Sequence, residues 1–455
     1  MTLTRHSAYL ASGIEGLGNI PSHWRVQRLK HICEVFPSNV DKKTHEGEVP
    51  VRLCNYTDVY YRETITADLE FMQASATQEQ IDRFTLRAGD TIITKDSETA
   101  DDIAIAAYVP ENLTGVVCGY HLAMVRPRSP NVVIGPFIKR FFDSRYARMA
   151  FEVRANGLTR VGLSQYELDN VDVPLPPIDE QRAIAAFLDH QTGKIDALVT
   201  EQERLIELLK EKRQAVITHA VTKGLNSSVP MTDSGVQSLG AVPSHWKVDR
   251  IKWFARMESG HTPDKKVPAY WDGDIPWVSL NDTGYLKNHE YIEETAHAIT
   301  EAGIANSSAH LLPTGTVVFS RDATIGRCAI LARPMACSQH FIGWVCGPEL
   351  IPEYLLLRLR SMTPELDSMT TGATVKTIGM PEVRTLRTPI PPAEEQRAIV
   401  EAVKRETGRI DELMNAAAQA VELLHERRVA LITAAVTGQI DVRPEVTKSA
   451  AGQAA

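Results

Sequence analysis

At 455 residues, 43% hydrophobic and 23% charged, the sequence has the proportions of an ordinary globular protein of two to four domains. Its 49 Lys and Arg are outnumbered by 57 Asp and Glu, giving a formal charge of −8. That balance excludes a uniformly basic, histone-like nucleic-acid binder but leaves room for a local basic site. No uncharged apolar run approaches the roughly 18 residues that span a bilayer, and Met1–Leu10 shows no signal-peptide pattern. A cytoplasmic chain without a membrane role is expected. The six cysteines (Cys33, Cys54, Cys118, Cys328, Cys337, Cys346) never form a CxxC pair, so reduced core thiols and no metal site are expected.

The first segment, 1–173, mixes strand signals with turns. Thr91-Ile92-Ile93-Thr94 follows the turn Ala88-Gly89-Asp90. Val116–Cys118 and Ala123–Val125 read as further strands, and a helix is predicted over about 134–150. A Gly-rich loop, Asn156 to Leu163, closes the segment. From Lys139 to Arg160 six basic residues face only Asp143 and Glu152. Such an excess could meet phosphate oxygens or be a solvated helix face.

Residues 174–225 open on the proline cluster Pro174-Leu175-Pro176-Pro177, which blocks any earlier helix. Asp179 and Glu180 then sit where acids complement the helix dipole. Leu188, Ile195, Leu209 and Val216 fall on one seven-residue register interrupted by Gln202, with Leu198 and Leu205 as a flanking row. That is a coiled-coil pattern. A long helix with one apolar stripe needs a partner, and Gly193 is expected to mark a kink or a close crossing.

The rest of the chain repeats the plan. Ser12 to Trp24, ending Pro21-Ser22-His23-Trp24, recurs as Ser234 to Trp246, ending Pro243-Ser244-His245-Trp246. The run Pro174 to Ile184 recurs as Pro389 to Ile399, both containing Glu-Gln-Arg-Ala-Ile. Segment 226–388 carries strands at 316–320 and 341–345, a helix at 353–360 and a Gly-rich loop over 371–379. Segment 389–440 repeats the helix, with Val403, Ile410, Ala417, Leu424 and Leu431 in register, Leu413 and Ala420 beside them, and Gly408 matching Gly193. Residues 441–455 read as a disordered tail. The sequence is thus a tandem duplication. We expect an α+β protein in which two globular α/β domains (1–173, 226–388) alternate with two long helices (174–225, 389–440). The helices should pair as an antiparallel coiled coil with pseudo-two-fold symmetry. Counted by segment the charge is −3, −1, −2 and −2, so no segment is basic overall.

Catalytic signatures are missing. There is no GxxxxGK[ST] phosphate loop, no HExxH and no GxSxG. The Pro-Pro pairs lack the preceding Asn or Asp and following aromatic that base methylation needs. The recurrent His-Trp pairs suit packing or capping better than ligation.

The twin Pro-Ser-His-Trp entries and twin PxPPxxEQRAI helix starts carry a resemblance. Thr324-Ile325-Gly326-Arg327 after Ser320-Arg321 and Asp274-Ile275-Pro276-Trp277-Val278 add to it, as does Gly89-Asp90 with Lys95-Asp96-Ser97-Glu98. The chain resembles the DNA-specificity subunit of type I restriction–modification systems. The resemblance implies a non-catalytic chain whose two target-recognition domains each read a half-site in double-stranded DNA, with the helices fixing the gap. It implies two modification (methyltransferase) subunits using S-adenosylmethionine and two restriction (helicase–nuclease) subunits using ATP and Mg²⁺, with no cofactor on this chain. By analogy the DNA contacts are Lys95 and Ser97 with Thr159 and Arg160, and Arg321 and Thr324 with Lys376 and Thr377. The competing reading pairs Lys95 and Arg321 with Asp96 and Asp322. A coiled-coil scaffold with two ligand-binding domains and no DNA role is the alternative function.

Overall fold

The computed structural model describes residues 4–370 and 376–445. The fold divides into two compact units: residues up to Glu203 together with those from Gln419 onward, and Arg204–Ala418. The division runs through both long helices. The central helix spans Ile178–Lys223 (46 residues) and the distal helix Ala393–Val436 (44 residues). Each unit therefore holds one globular domain, the start of the helix that follows it and the end of the other helix.

In unit 1 a four-stranded antiparallel sheet runs in the order Cys33–Pro37, Leu122–Pro127, Thr91–Thr94, Ala106–Tyr108. A second sheet runs Val116–Cys118, Val49–Cys54, Met72–Ala76. Unit 2 repeats both. Its first sheet runs Ala255–Ser259, Phe341–Cys346, Val317–Ser320, Cys328–Leu331, and adds Tyr291–Ile292 at the edge. Its second runs Ala298–Ile299, Trp271–Val278, Ala336–Cys337. The predicted strands are present. The single helix expected over 134–150 is two, Gly135–Asp143 and Arg145–Glu152. Ser144 ends the first and caps the second, its hydroxyl accepting from the Ala147 amide. Five of the six cysteines are buried, and burial pushes the Cys33 thiol up to about 12.

The repeated motifs explain how each domain is bolted to its helix. Glu180, in the first turn of the central helix, accepts from Trp24 Nε1 (2.8 Å) and pairs with His23 Nε2 (2.7 Å). Glu395 does the same for Trp246 (3.1 Å) and His245 (2.9 Å). The next residue is a fully buried glutamine. Gln181 donates to the Pro176 and Val132 carbonyls and accepts from the Ile134 amide. Gln396 donates to Pro391 and Glu349 and accepts from Ile351. The Glu-Gln pair thus ties the entry turn, the domain's main helix and the long helix together.

The helices run antiparallel within each unit. In unit 1 Asp196 meets Arg428 (3.0 Å), while further back Ile184, Phe187 and Leu188 share a core with Ile432, Ala435 and Val436. In unit 2 Arg213 meets Asp411 (2.9 Å), while Ile217, Ala220 and Val221 share a core with Ile399, Val400 and Val403. Leu188, Ile195, Leu209, Val403, Ile410 and Ala417 are buried as the register predicts. The flanking row differs. Leu198, Leu205 and Leu413 are exposed, and the buried or half-buried second row is Thr192, Val199, Ile206, Arg213, Ala220 on the central helix. Alternating steps of four and three keep one narrow face toward an antiparallel partner. The helices pass uninterrupted through Gly193 and Gly408, where an added side chain would meet open space, so no close crossing requires either glycine.

Gly224 and Gly438 do have a task. Both follow a helix end at positive φ (78° and 72°) and pack on the motif tryptophan. A Cβ at Gly438 would lie 2.3 Å from Pro21, and one at Gly224 would lie 3.1 Å from Trp246. Within the segment expected to be a disordered tail, residues 441–445 are ordered. Asp441 pairs with Thr4 and Val442 is buried, while 446–455 lie outside the described residues.

Candidate nucleic-acid interface

In the first domain the strand Thr91–Thr94 delivers Lys95 to its end, and Asp96–Ser97 pairs with Val161–Gly162 of the Gly-rich loop. The Lys95 amide donates to the His121 carbonyl (3.0 Å), and the Leu163 amide donates to the Lys95 carbonyl (2.8 Å). His121 Nδ1 lies 2.7 Å from an Asp96 oxygen, and Arg160 approaches the same oxygen at 3.5 Å. The strand end and the loop expected to act together are therefore neighbours.

Their side chains differ in availability. Thr159 and Arg160 are exposed at the loop tip, beyond Gly157. Ser97 is buried, so its hydroxyl is not presented to a ligand surface. The Lys95 ammonium does not pair with Asp96 by contact. It donates to the Ser38 carbonyl (2.9 Å) and lies over the exposed Tyr120 ring at 5.5 Å. Burial holds its pKa below the ordinary value, against the pull of Asp96. The Lys139–Arg160 basic run also splits. Lys139 and Arg140 are buried in ion pairs with Glu63, Asp143 and Asp189, which makes them internal struts. Arg148 and Arg160 remain exposed.

The second domain rebuilds the arrangement. The strand Val317–Ser320 delivers Arg321, whose amide donates to the His340 carbonyl (3.0 Å) and whose carbonyl accepts from the Ile378 amide (2.9 Å). His340 Nδ1 lies 2.8 Å from Asp322. Asp322 bridges Thr377, and the Ala323 amide donates to the Lys376 carbonyl (2.9 Å). Ala323 holds φ at 57°, unusual for a residue with a Cβ. Arg321 spends its guanidinium on the Gln339 and Ile378 carbonyls and stands 3.7 Å from Asp322. Thr324 Oγ1 is buried, whereas Lys376 is exposed. The loop residues 371–375 lie outside the described residues.

Two features escaped sequence reading. One is the matched His–Asp pair, His121–Asp96 and His340–Asp322. Its signal was present, since each histidine precedes its sheet's long strand by one residue, but it shows only once the strands are aligned. The other is a cleft of about 500 Å³ beside Arg321, lined by Trp271, Trp277, Asn281, His297, Gln339 and His340. Ser279 and Asp282 cap the turn that presents Asn281, and Asn55 and Asp58 make the same capping box in the first domain. Each domain thus offers a rigid strand-end frame around exposed polar, cationic and aromatic groups. Cations suit phosphates and guanine edges, and Gln suits adenine.

The family model described as the type I restriction modification DNA specificity domain matches residues 21–208 and 243–423, one match over each repeat. The chain belongs to this family. Its members recognise DNA targets for type I restriction–modification systems, and that is the function of this chain. The MjaIX specificity subunit of Methanocaldococcus jannaschii is 32% identical over 165 residues, covering 35% of this chain and 38% of that protein. The MjaX protein of the same organism aligns nearly end to end, at 22% identity over 94% of this chain and 96% of its own. A solved chain from a study of assembly and conformational transition of the type I system shares the fold at TM-score 0.69. It has 19% identity and covers 92% of this chain and 98% of that one. Among the described residues no helix is long and apolar enough to cross a membrane.

Proposed function

We propose that this chain is the non-catalytic DNA reader of a cytoplasmic type I complex. Each recognition domain takes one half-site of a bipartite, asymmetric target in double-stranded DNA, and the paired helices set the gap between half-sites. Two modification subunits methylate adenine with S-adenosylmethionine, and two restriction subunits use ATP and Mg²⁺. This chain binds none of those cofactors itself. One observation carries the reading. The same frame of strand-end cation, His–Asp pair and loop is built twice, with different groups exposed on it: Tyr120 and Arg160 in one domain, Gln339 and Lys376 in the other. A common frame with unlike readers is what an asymmetric target requires. A helical scaffold without a DNA role has no observation in its favour.

Methylome sequencing of a host carrying the chain with its modification partner tests this. A methylated motif of two unlike half-sites separated by a fixed gap is the expected result. A continuous or palindromic motif contradicts it. Cleavage of DNA by the purified chain with Mg²⁺ alone would remove the non-catalytic assignment.

A further inference from the structure

The two units differ at one equivalent place. In unit 2 a short continuous stretch after Gly224 carries the central helix into the strand Met231–Asp233. In unit 1 that place is filled by two segments far apart in the chain: the stretch following the distal helix, and the segment from Thr4 to the strand Tyr9–Ala11. They meet through the Asp441 amide donating to the Thr4 carbonyl (2.8 Å) and Tyr9 Oη donating to the Gln439 carbonyl (3.3 Å). The Thr4 hydroxyl also donates to the Asp441 carbonyl (3.1 Å).

Beside it His6, His23 and Glu180 each bring one ligand atom to within 4.8 Å of the others. His6 is 7% exposed, and its ring nitrogens make no well-formed hydrogen bond among the described residues, only a marginal approach to the Ile440 backbone. The Asp441 carboxylate faces it, with Oδ2 4.0 Å from His6 Nδ1. A buried imidazole whose hydrogen bonding is this poorly met is costly, and such a group in a native fold calls for a ligand. Its neighbours supply the chemistry. Two imidazoles and one carboxylate lie together, and Asp441, outside that cluster, must move in as the fourth ligand; such a nitrogen–oxygen set suits zinc-class ions better than Mg²⁺ or Ca²⁺.

We propose that His6, His23, Glu180 and Asp441 bind a divalent ion of the zinc class, which staples the two segments of unit 1. Tetrahedral bonds of about 2.0–2.2 Å put ligand atoms roughly 3.4 Å apart. The His23–Glu180 pair at 2.7 Å opens slightly and the His6–Asp441 pair at 4.0 Å closes. Trp24 Nε1, donating to the other Glu180 oxygen, holds the carboxylate in place as an outer-sphere partner. Arg443 now neutralises these acids, at 2.9 Å from Glu180 and 2.7 Å from Asp441. Its guanidinium is half-exposed and gives way to the ion. Unit 2 keeps His245 and Glu395, but Ser228 stands where the repeat places the counterpart of His6. There the chain itself makes the connection, so the ion replaces in unit 1 a link that unit 2 has covalently.

The test uses the full-length chain without an affinity tag, stripped with chelator and titrated with Zn²⁺, with Mg²⁺ as comparison. Bound metal is read by mass spectrometry and stability by Tm. One zinc per chain is expected, with a Tm rise of about 5 °C at a hundredfold excess over Kd. Mg²⁺ should give neither effect. His6→Ala should abolish zinc binding. Because His6 is buried, His23→Gln serves as the second variant: its ring is partly exposed, the fold should persist, and affinity should fall at least tenfold. His245→Gln should leave zinc binding unchanged. Failure of the wild-type chain to retain zinc overturns the proposal, as does zinc binding that survives both His6→Ala and His23→Gln.

Discussion

Gln181 closes three hydrogen bonds from a fully buried position, and Gln396 repeats them in the other unit. Truncation to Ala strands three backbone groups away from water. Gln181→Ala should therefore cost about 2–4 kcal/mol in unit 1. Hydrogen exchange should locate the loosening around 132–134, with the 349–351 region of unit 2 unaffected. Glu63 gives a pH signature. Burial opposes its charge, but Lys139, Arg428 and Arg140 outweigh burial and hold the carboxyl down at about 2. A depressed carboxyl stabilises the fold above its unfolded value near 4.5, and that contribution is lost as pH falls toward 2. Glu63→Gln should flatten the dependence of Tm on pH across that window, and an unchanged slope would show that the network does not act as described. At the interface, Arg160→Ala and Lys376→Ala should each weaken DNA binding by the assembled complex and lower the salt slope by about one. Unchanged binding across salt concentrations would take both residues out of the site. Little of this was legible in the sequence. Basic residues at 139, 140 and 160 look alike as letters, and only burial separates struts from contacts.

The long helices were the most legible elements, because a proline cluster, first-turn acids and a heptad seam are local signals. The side row was not. Leu198 and Leu205 look apolar enough to belong to the seam, yet an antiparallel partner covers the face through Val199 and Ile206 instead. Composition could not choose between rows three and four residues away, since the choice depends on where the partner lies. The break at Ser144 was hidden for a similar reason. A serine inside an apolar run caps a helix only when the chain turns there. If the helices set the gap between half-sites, inserting four residues, about one turn, into the central helix should change the tolerated gap and leave both half-site sequences intact. Altered half-sites would refute the division of labour between helices and domains.

At the scale of the molecule, duplication was visible in the sequence but the assignment of partners was not. The segments holding Ile217, Ala220 and Val221 and holding Ile432, Ala435 and Val436 are near copies, so either could pack on the first domain. Geometry decides. Ile432, Ala435 and Val436 lie in the core of the first domain, and Ile217, Ala220 and Val221 in the core of the second. The first domain takes the end of the distal helix. Removing residues after Ala430 should uncover Leu17, Ile20 and Trp24 and destabilise unit 1, with unit 2 retaining its exchange protection. Metal-ligand spacing was silent at His6, His23, Glu180 and Asp441, because residues gathered from across the chain leave no local signature.

The central claim is that each domain reads one half-site on a shared frame. Replacing residues 226–388 with the corresponding segment of a relative, leaving both helices unchanged, and sequencing the methylome of the host tests it most directly. One half of the methylated motif should change, while the other half and the gap stay as they were. A change in both halves, or in neither, would contradict the account.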